Sequence, residues 1–153
     1  MKGGFKMTDV RTVAQYFLCK SSMSHKKLEK LCYYAQAWYL ANYGKPLMPN
    51  RFEAWVHGPV SPDLYMQYRD WGWVDIPKRV ECPELSDSEK TFLDQVLEVY
   101  GDYTADELET LTHRELPWQK ARAGCSPLEY SRNPISMKGM RDYYGKRIGK
   151  IHE

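Results

Sequence analysis

The chain has 153 residues, of which 42% are apolar, 27% charged and 14% aromatic, with a net charge of +2. This length fits one domain of ordinary size, and the balance of apolar and charged residues is typical of a folded globular protein, which excludes intrinsic disorder. The 22 basic residues nearly balance the 20 acidic ones, so the composition shows neither the basic excess of a nucleic-acid-binding domain nor an attraction to anionic membranes.

Aromatic residues are unusually frequent, with 12 Tyr and 5 Trp. A buried Tyr or Trp needs a partner for its polar atom. The count therefore predicts either a core with hydrogen-bonded aromatic tips or aromatic side chains displayed at a surface, and composition alone leaves both interpretations open.

The four cysteines, Cys19, Cys32, Cys82 and Cys125, contain no CxxC pair. Cys19 and Cys32 lie within helical apolar patterns, where a free Cys packs like a small apolar residue. A chain of this size with so few cysteines does not match a disulfide scaffold, and no apolar run is long enough for a membrane span or a signal peptide. The sequence therefore predicts reduced cysteines and a cytoplasmic protein.

Two helices are predicted in the first 45 residues. The first begins after the N-cap candidate Asp9 and carries apolar residues at helical spacing. The second begins after Ser24 and is expected to end at Gly44 in a left-handed turn. Apolar side chains cover much of the girth of this second helix, which predicts a central position in the fold, with Leu31 and Trp38 in the core.

A short strand is predicted over residues 51–57, where the side chains alternate in character. We expect it to pair with residues 46–48 in a small hairpin and to end at Gly58-Pro59. The order Ser61-Pro62-Asp63 then supplies an N-cap, a first-turn proline and an acid near the positive end of a new helix.

Four further helix starts lie in the second half of the chain. Two match the capping box, in which Ser or Thr is followed three residues later by Glu. One places a proline in the first turn, and the last begins with a Ser cap. In chain order they lie at Ser86, Thr104, Pro117 and Ser136.

Together these patterns predict a mainly α fold, a single compact helical domain of about six to seven helices with one short β-hairpin or strand around residues 46–58. We expect the domain to span residues 8–146, between a flexible leader at 1–7 and a basic tail at 147–153.

Motifs for catalysis are lacking in the sequence. The four His residues and the cysteines show no zinc-ligand spacing, and there is neither a Gly-rich phosphate loop nor a GxSxG nucleophile motif. We therefore expect no enzymatic activity, no cofactor and no metal. An acid–base role for His57 or His113 remains the catalytic alternative.

A small basic cluster, His25 to Lys27 with Lys30, opens the second predicted helix. Such clusters are usually solvated helix faces, and a contact to nucleic acid is the alternative. Cationic side chains are slightly unfavourable at a helix N-terminus, which is consistent with their retention for binding.

Two groups of residues, one around Trp55 and His57 and the other around His113 and Trp118, each place a Trp and a His beside a rigid Gly or Pro turn. Either the Trp anchors the turn in the core while the His bonds to the backbone, or the group forms a preformed aromatic surface of the kind that supplies interface hot spots. On the second interpretation, the candidate partner contacts are Trp55, His57, Tyr65, Tyr68, His113 and Trp118.

Five stretches in the same order resemble the Panacea antitoxin domain, a family often labelled phage-associated protein in mobile genetic elements. They are Lys27–Trp38, Tyr43–Leu47, Phe52–Val60, Leu111–His113 and Pro117-Trp118. Glu29 stands where the family commonly has Gln, and Cys32 where an aliphatic residue is usual. The change at Glu29 would alter a contact if that helix face binds a partner.

The resemblance implies a mostly helical domain that neutralises a cognate protein toxin by direct contact, in a bacterial or phage toxin–antitoxin pair encoded by neighbouring genes. It carries over no catalytic residues, and it does not name the toxin because the toxins paired with this family are diverse. The alternative is a DNA-binding regulator or an adaptor that hands a partner to a protease.

Overall fold

The computed structural model describes residues 7–148. Within them the chain forms seven α-helices and a two-stranded antiparallel sheet, so the predicted mainly α class is confirmed. The elements are α1 (Val10–Lys20), α2 (His25–Tyr43), β1 (Glu53–Trp55), β2 (Gly58–Val60), α3 (Pro62–Tyr68), α4 (Asp87–Tyr100), α5 (Ala105–His113), α6 (Leu116–Ala121) and α7 (Met137–Gly145). A single 3₁₀ turn, Arg69–Trp71, follows α3. Most of the expected leader and tail, residues 1–6 and 149–153, lies outside the described residues.

Helix α2 is the centre of the fold, as its apolar girth predicts. It packs against α1, α3, α4, α5, α7 and β2. Its start is capped by Ser24, whose side chain accepts the Lys27 N–H, and it ends at Gly44 with φ of 72°. Leu31 and Trp38 are 0% and 6% exposed, which confirms their prediction as core residues.

The other predicted helix starts are also confirmed where local chemistry determines them. Asp9 accepts backbone N–H groups at the start of α1. Ser86 and Thr104 each form a complete capping box, at α4 and α5. Ser61 precedes α3 as expected, but its hydroxyl caps nothing and is buried without a partner among residues 7–148.

The predicted pairing of residues 46–48 with the strand is wrong. The side chain of Gln36, buried on α2, accepts the N–H groups of Leu47 and Met48 at 3.0 Å each and donates to the Met48 carbonyl at 2.8 Å. Because these backbone groups already have hydrogen-bond partners, they are not available to pair with a neighbouring strand. β1 pairs instead with β2, so Gly58 begins a strand rather than ending one.

Much of the aromatic content forms a hydrogen-bonded core. Tyr34 and Tyr144 both donate their hydroxyls to Oε1 of Glu115 at 2.7 Å. Trp38 donates from Nε1 to the Tyr100 hydroxyl at 2.7 Å. Burial raises the pKa of Glu115 above its ordinary value, although the two hydroxyl bonds act in the opposite direction. The core interpretation of the aromatic count therefore holds for these side chains.

The prediction of reduced cysteines is wrong for one pair. Cys19, at the end of α1, forms a disulfide with Cys82 in the connector before α4. The Met23 and Ile76 backbones pair beside it. The connector therefore lies against α1, and residues 63 positions apart in the sequence are joined in a way that Cys spacing does not reveal. Cys32 is a buried free thiol, as its apolar setting predicts.

Candidate partner-binding site

The end of β1 and the turn that follows it present Trp55 and His57 beside the first turn of α2. The Trp55 and Tyr65 rings meet edge to face at 4.8 Å between centroids, and His25 lies 5.2 Å from Tyr65. These four side chains line one open cavity of about 350 Å³. Three of the six predicted contact residues, Trp55, His57 and Tyr65, thus come together in one place, hereafter the hairpin cavity.

Trp55 is held in position by a carboxylate. Its Nε1 donates to Oε1 of Glu53 at 2.9 Å, and Glu53 is also paired with Arg51 at 2.8 Å and Arg132 at 3.1 Å. Burial opposes ionisation of Glu53, but the hydrogen bonds from Trp55 and the two arginines outweigh it and hold the pKa of Glu53 below its ordinary value. The Trp55 ring is therefore fixed before any partner arrives.

Replacing Glu53 by Gln is expected to lower the free energy of unfolding by roughly 1–3 kcal/mol at pH 7, since hydrogen bonds to a charged group are lost. The folded-state pKa of Glu53 lies below the unfolded value of about 4.3, so its contribution is present above that value and disappears as the pH falls through the folded value. The difference between the two proteins should therefore shrink in melts at pH 3. Glu98→Gln, at an exposed position on α4, is the control and should have little effect at either pH.

His57 is tied to the domain by Glu109 of α5. Glu109 Oε2 lies 3.1 Å from His57 Nδ1 and 3.9 Å from His113 Nε2, and Oε1 lies 2.5 Å from Lys26 Nζ. Burial opposes ionisation of Glu109, but the bonds from Lys26 and His57 lower the pKa of this carboxyl. This cluster joins the hairpin, α2 and α5, and it leaves most of the His57 ring exposed at 71%.

The second predicted group, His113 and Trp118, supports the hairpin from behind. The two rings stack at 3.9 Å, and Trp118 Nε1 donates to the Trp55 carbonyl at 2.9 Å. Burial lowers the pKa of His113, although the Glu109 charge acts in the opposite direction. This geometry fits a Trp that anchors a turn, which was one of the two interpretations of the pattern.

Tyr68, the remaining predicted contact, lies in the core and does not line the hairpin cavity. The cavity instead includes Trp73, which the sequence did not single out, together with Glu29 and Lys30, which were noted in other patterns but not among the six candidate contacts. Trp73 is 88% exposed, so the surface interpretation of the aromatic count also holds for part of the chain.

The interpretation of the basic cluster as a solvated helix face is wrong for Lys30, which is 1% exposed. A usable signal was present, because Lys30 precedes Tyr34 by four residues and so shares its buried face. Lys26 pairs with Asp106 and Glu109, and Lys27 donates to the Gly101 carbonyl. With these lysines already engaged or buried, the cluster does not favour a contact to nucleic acid.

Two features are absent from residues 7–148. No group of three or more His, Cys, Asp or Glu side chains is arranged to hold a metal ion. No helix in this range is both long and apolar enough to cross a membrane.

Comparison with known proteins identifies the domain. The family described as Antitoxin SocA-like, Panacea domain matches residues 28–119, more than half of the chain. The chain belongs to this family. The resemblance seen in the sequence is thereby confirmed. The matched range runs from α2 into α6 and contains most of the hairpin cavity, so this cavity is a feature of the Panacea domain of the chain.

A curated relative points in the same direction. Antitoxin SocA of Caulobacter vibrioides (strain NA1000 / CB15N) is 40% identical over 62 residues, which cover 37% of this chain and 33% of SocA. The chain therefore spans about a third of the length of that relative. No solved structure shows a match.

Proposed function

We propose that this protein is an antitoxin that neutralises a cognate toxin, encoded by a neighbouring gene, through direct protein contact. Membership of the Antitoxin SocA-like family supports an antitoxin role. Direct contact is supported by the hairpin cavity, which combines exposed aromatic side chains with a rigid polar frame.

The observation that carries this proposal is the exposure of aromatic side chains around one cavity. Trp55 and Tyr65 are partly exposed there, and Trp73 is almost fully exposed. Large aromatic side chains are the commonest anchors of protein interfaces, and a rigid anchor loses little conformational entropy on binding. Glu53 supplies that rigidity for Trp55.

The test is rescue of growth. Co-expression of this protein is expected to relieve the arrest caused by the neighbouring gene's product and to yield a stable complex on co-purification. Trp55→Ala and Trp73→Ala should each weaken the complex, because truncating an interface anchor costs about 2 kcal/mol or more, roughly 30-fold in affinity. Trp71→Ala is the matched control, since Trp71 is partly exposed beside Trp73 but does not line the cavity.

Melting curves must accompany these binding measurements. Trp118→Ala is expected to act through the fold, because its ring supports the hairpin from behind. If Trp55→Ala and Trp73→Ala stay folded and rescue fully, the interface lies elsewhere. If the wild type neither binds nor rescues against any neighbouring product, the antitoxin assignment is wrong.

A further inference from the structure

A buried lysine without a partner lies in the hairpin cavity. Lys30 is 1% exposed, and lysine is almost never buried to this degree unless its ammonium is paired. Among residues 7–148, only longer-range charges act on it, without a hydrogen bond. Its stem is buried, but Nζ keeps a small accessible surface, so the ammonium is held at the wall of the open cavity by a side chain that is otherwise enclosed.

The carboxylates near Lys30 are committed to other groups. Glu29 Oε1 accepts the Ser61 N–H at 2.9 Å, and Glu29 Oε2 lies 3.2 Å from His25 Nε2. Glu109 is engaged by Lys26 and His57. Lys30 therefore stands beside acids whose bonding capacity is largely directed elsewhere.

The hairpin is shaped to receive the Lys30 side chain. Gly58 has φ of 112°, and a Cβ at this position would lie 2.5 Å from Lys30 Cε and 3.1 Å from Thr112 Oγ1. The glycine thus leaves room for the lysine stem. Burial lowers the pKa of Lys30 to about 8, although the Glu29 charge acts in the opposite direction, so the ammonium is still mostly protonated at pH 7.

We propose that the hairpin cavity receives the carboxylate of an Asp or Glu side chain from the partner protein, with Lys30 as its buried counter-charge. This inference rests on the proposed function, which makes the partner a protein. Trp55, Tyr65 and Trp73 pack around the residues that flank this acid, and the volume of about 350 Å³ is large enough for one side chain with part of its neighbours.

A carboxylate fits this site better than a phosphate does. Two cations that line the cavity, Lys30 and Arg69, have no ion pair among the described residues, but only Lys30 is buried, so the buried part of the site matches one negative charge. Glu29 lies next to Lys30 and would repel a dianion more strongly than a monoanion. The aromatic rim favours apolar flanking residues, so the preferred segment is an acid between apolar side chains.

The first test needs no toxin and no variant. Acetyl-Leu-Glu-Leu-amide and its Gln counterpart would be titrated into the wild-type chain and followed by isothermal calorimetry and Trp fluorescence. The Glu peptide is expected to bind in the millimolar range and at least about 10-fold more tightly than the Gln peptide, as expected for a desolvated charge pair. Absence of binding, or equal binding of both peptides, overturns the proposal.

The second test places the effect at Lys30. Lys30→Met keeps the length of the stem and removes the charge, so it should melt no lower than the wild type yet lose the preference for Glu. Lys45→Met, at an exposed position after α2, should keep that preference. A Lys30→Met protein that still prefers the Glu peptide refutes the role of Lys30.

The third test separates this inference from the proposed function. With the neighbouring gene's product, Lys30→Met should weaken the complex by about 30-fold or more, and Lys45→Met should not. If wild type and Lys30→Met bind that product equally, the antitoxin role stands and the carboxylate pocket is wrong. If no neighbouring product binds but the peptide preference is present and depends on Lys30, the pocket stands and the proposed function fails.

Discussion

Replacing Trp38 by Ala is expected to lower the free energy of unfolding by about 3–5 kcal/mol, the usual cost of removing a large aromatic side chain from a core that cannot collapse. Trp38 lies on the central helix, and its indole packs against Tyr144 at 5.1 Å between centroids. Its loss would also leave the Tyr100 hydroxyl without the Trp38 donor. Chemical denaturation followed by circular dichroism measures the effect.

Two further variants show whether the loss of stability comes from core packing and from the hydrogen bond to Tyr100. Trp73→Ala removes the same side chain from an exposed site and should change stability by no more than about 0.5 kcal/mol. Trp38→Phe keeps most of the packing but loses the bond to Tyr100, so it should fall between the wild type and Trp38→Ala. An unchanged denaturation midpoint for Trp38→Ala would contradict the position of this face in the core.

A second large loss of stability is expected for Gly58→Ala, at about 2–4 kcal/mol from backbone strain and overpacking together. Part of it is backbone strain, since a φ of 112° is costly for any residue with a Cβ. The rest is steric, because the new methyl group would collide with the Lys30 stem at the floor of the cavity. Equilibrium unfolding of the variant and the wild type measures both parts together.

Gly44→Ala is the control for the backbone part. It also has a positive φ, 72°, but a Cβ there meets nothing within 4 Å, so only about 1 kcal/mol should be lost. Adding Lys30→Ala to Gly58→Ala should remove the collision and leave the strain. Equal costs at the two glycines would mean that the Lys30 stem moves aside freely, and the close fit between hairpin and lysine would be wrong.

What could be predicted from the sequence was local. The caps at Asp9, Ser24, Ser86 and Thr104 depend on residues within one helical turn, and all four are present in the structure. The hairpin partner could not be predicted, because the side chain of Gln36, eleven residues before Leu47, forms hydrogen bonds with the backbone of the segment that was expected to pair with the strand. The alternation of residues 51–57, from which the strand was predicted, gives no information about that hydrogen bond.

The candidate site was predictable in part for the same reason. Trp55, His57 and Tyr65 stand out by residue type beside turn residues, and the short hairpin and α3 bring them together. Lys30 was missed because the basic cluster at the start of α2 was interpreted by its composition alone. The burial of Lys30 depends instead on its position in the helical period and on the room that Gly58 leaves for its side chain. Tyr68 was selected by type, although only the packing of α3 shows that it faces inward.

The hydrogen bonds between the Gln36 side chain and the backbone of Leu47 and Met48 also affect the shape of the cavity. The first turns of α2 form one wall of the cavity, and the middle of the same helix holds the loop that leads directly into β1, where the opposite wall begins. Both walls are therefore attached to the same helix, α2. The distance between these two walls is set by α2 and the loop that it holds, whereas α3 and the 3₁₀ turn after it supply the remaining lining.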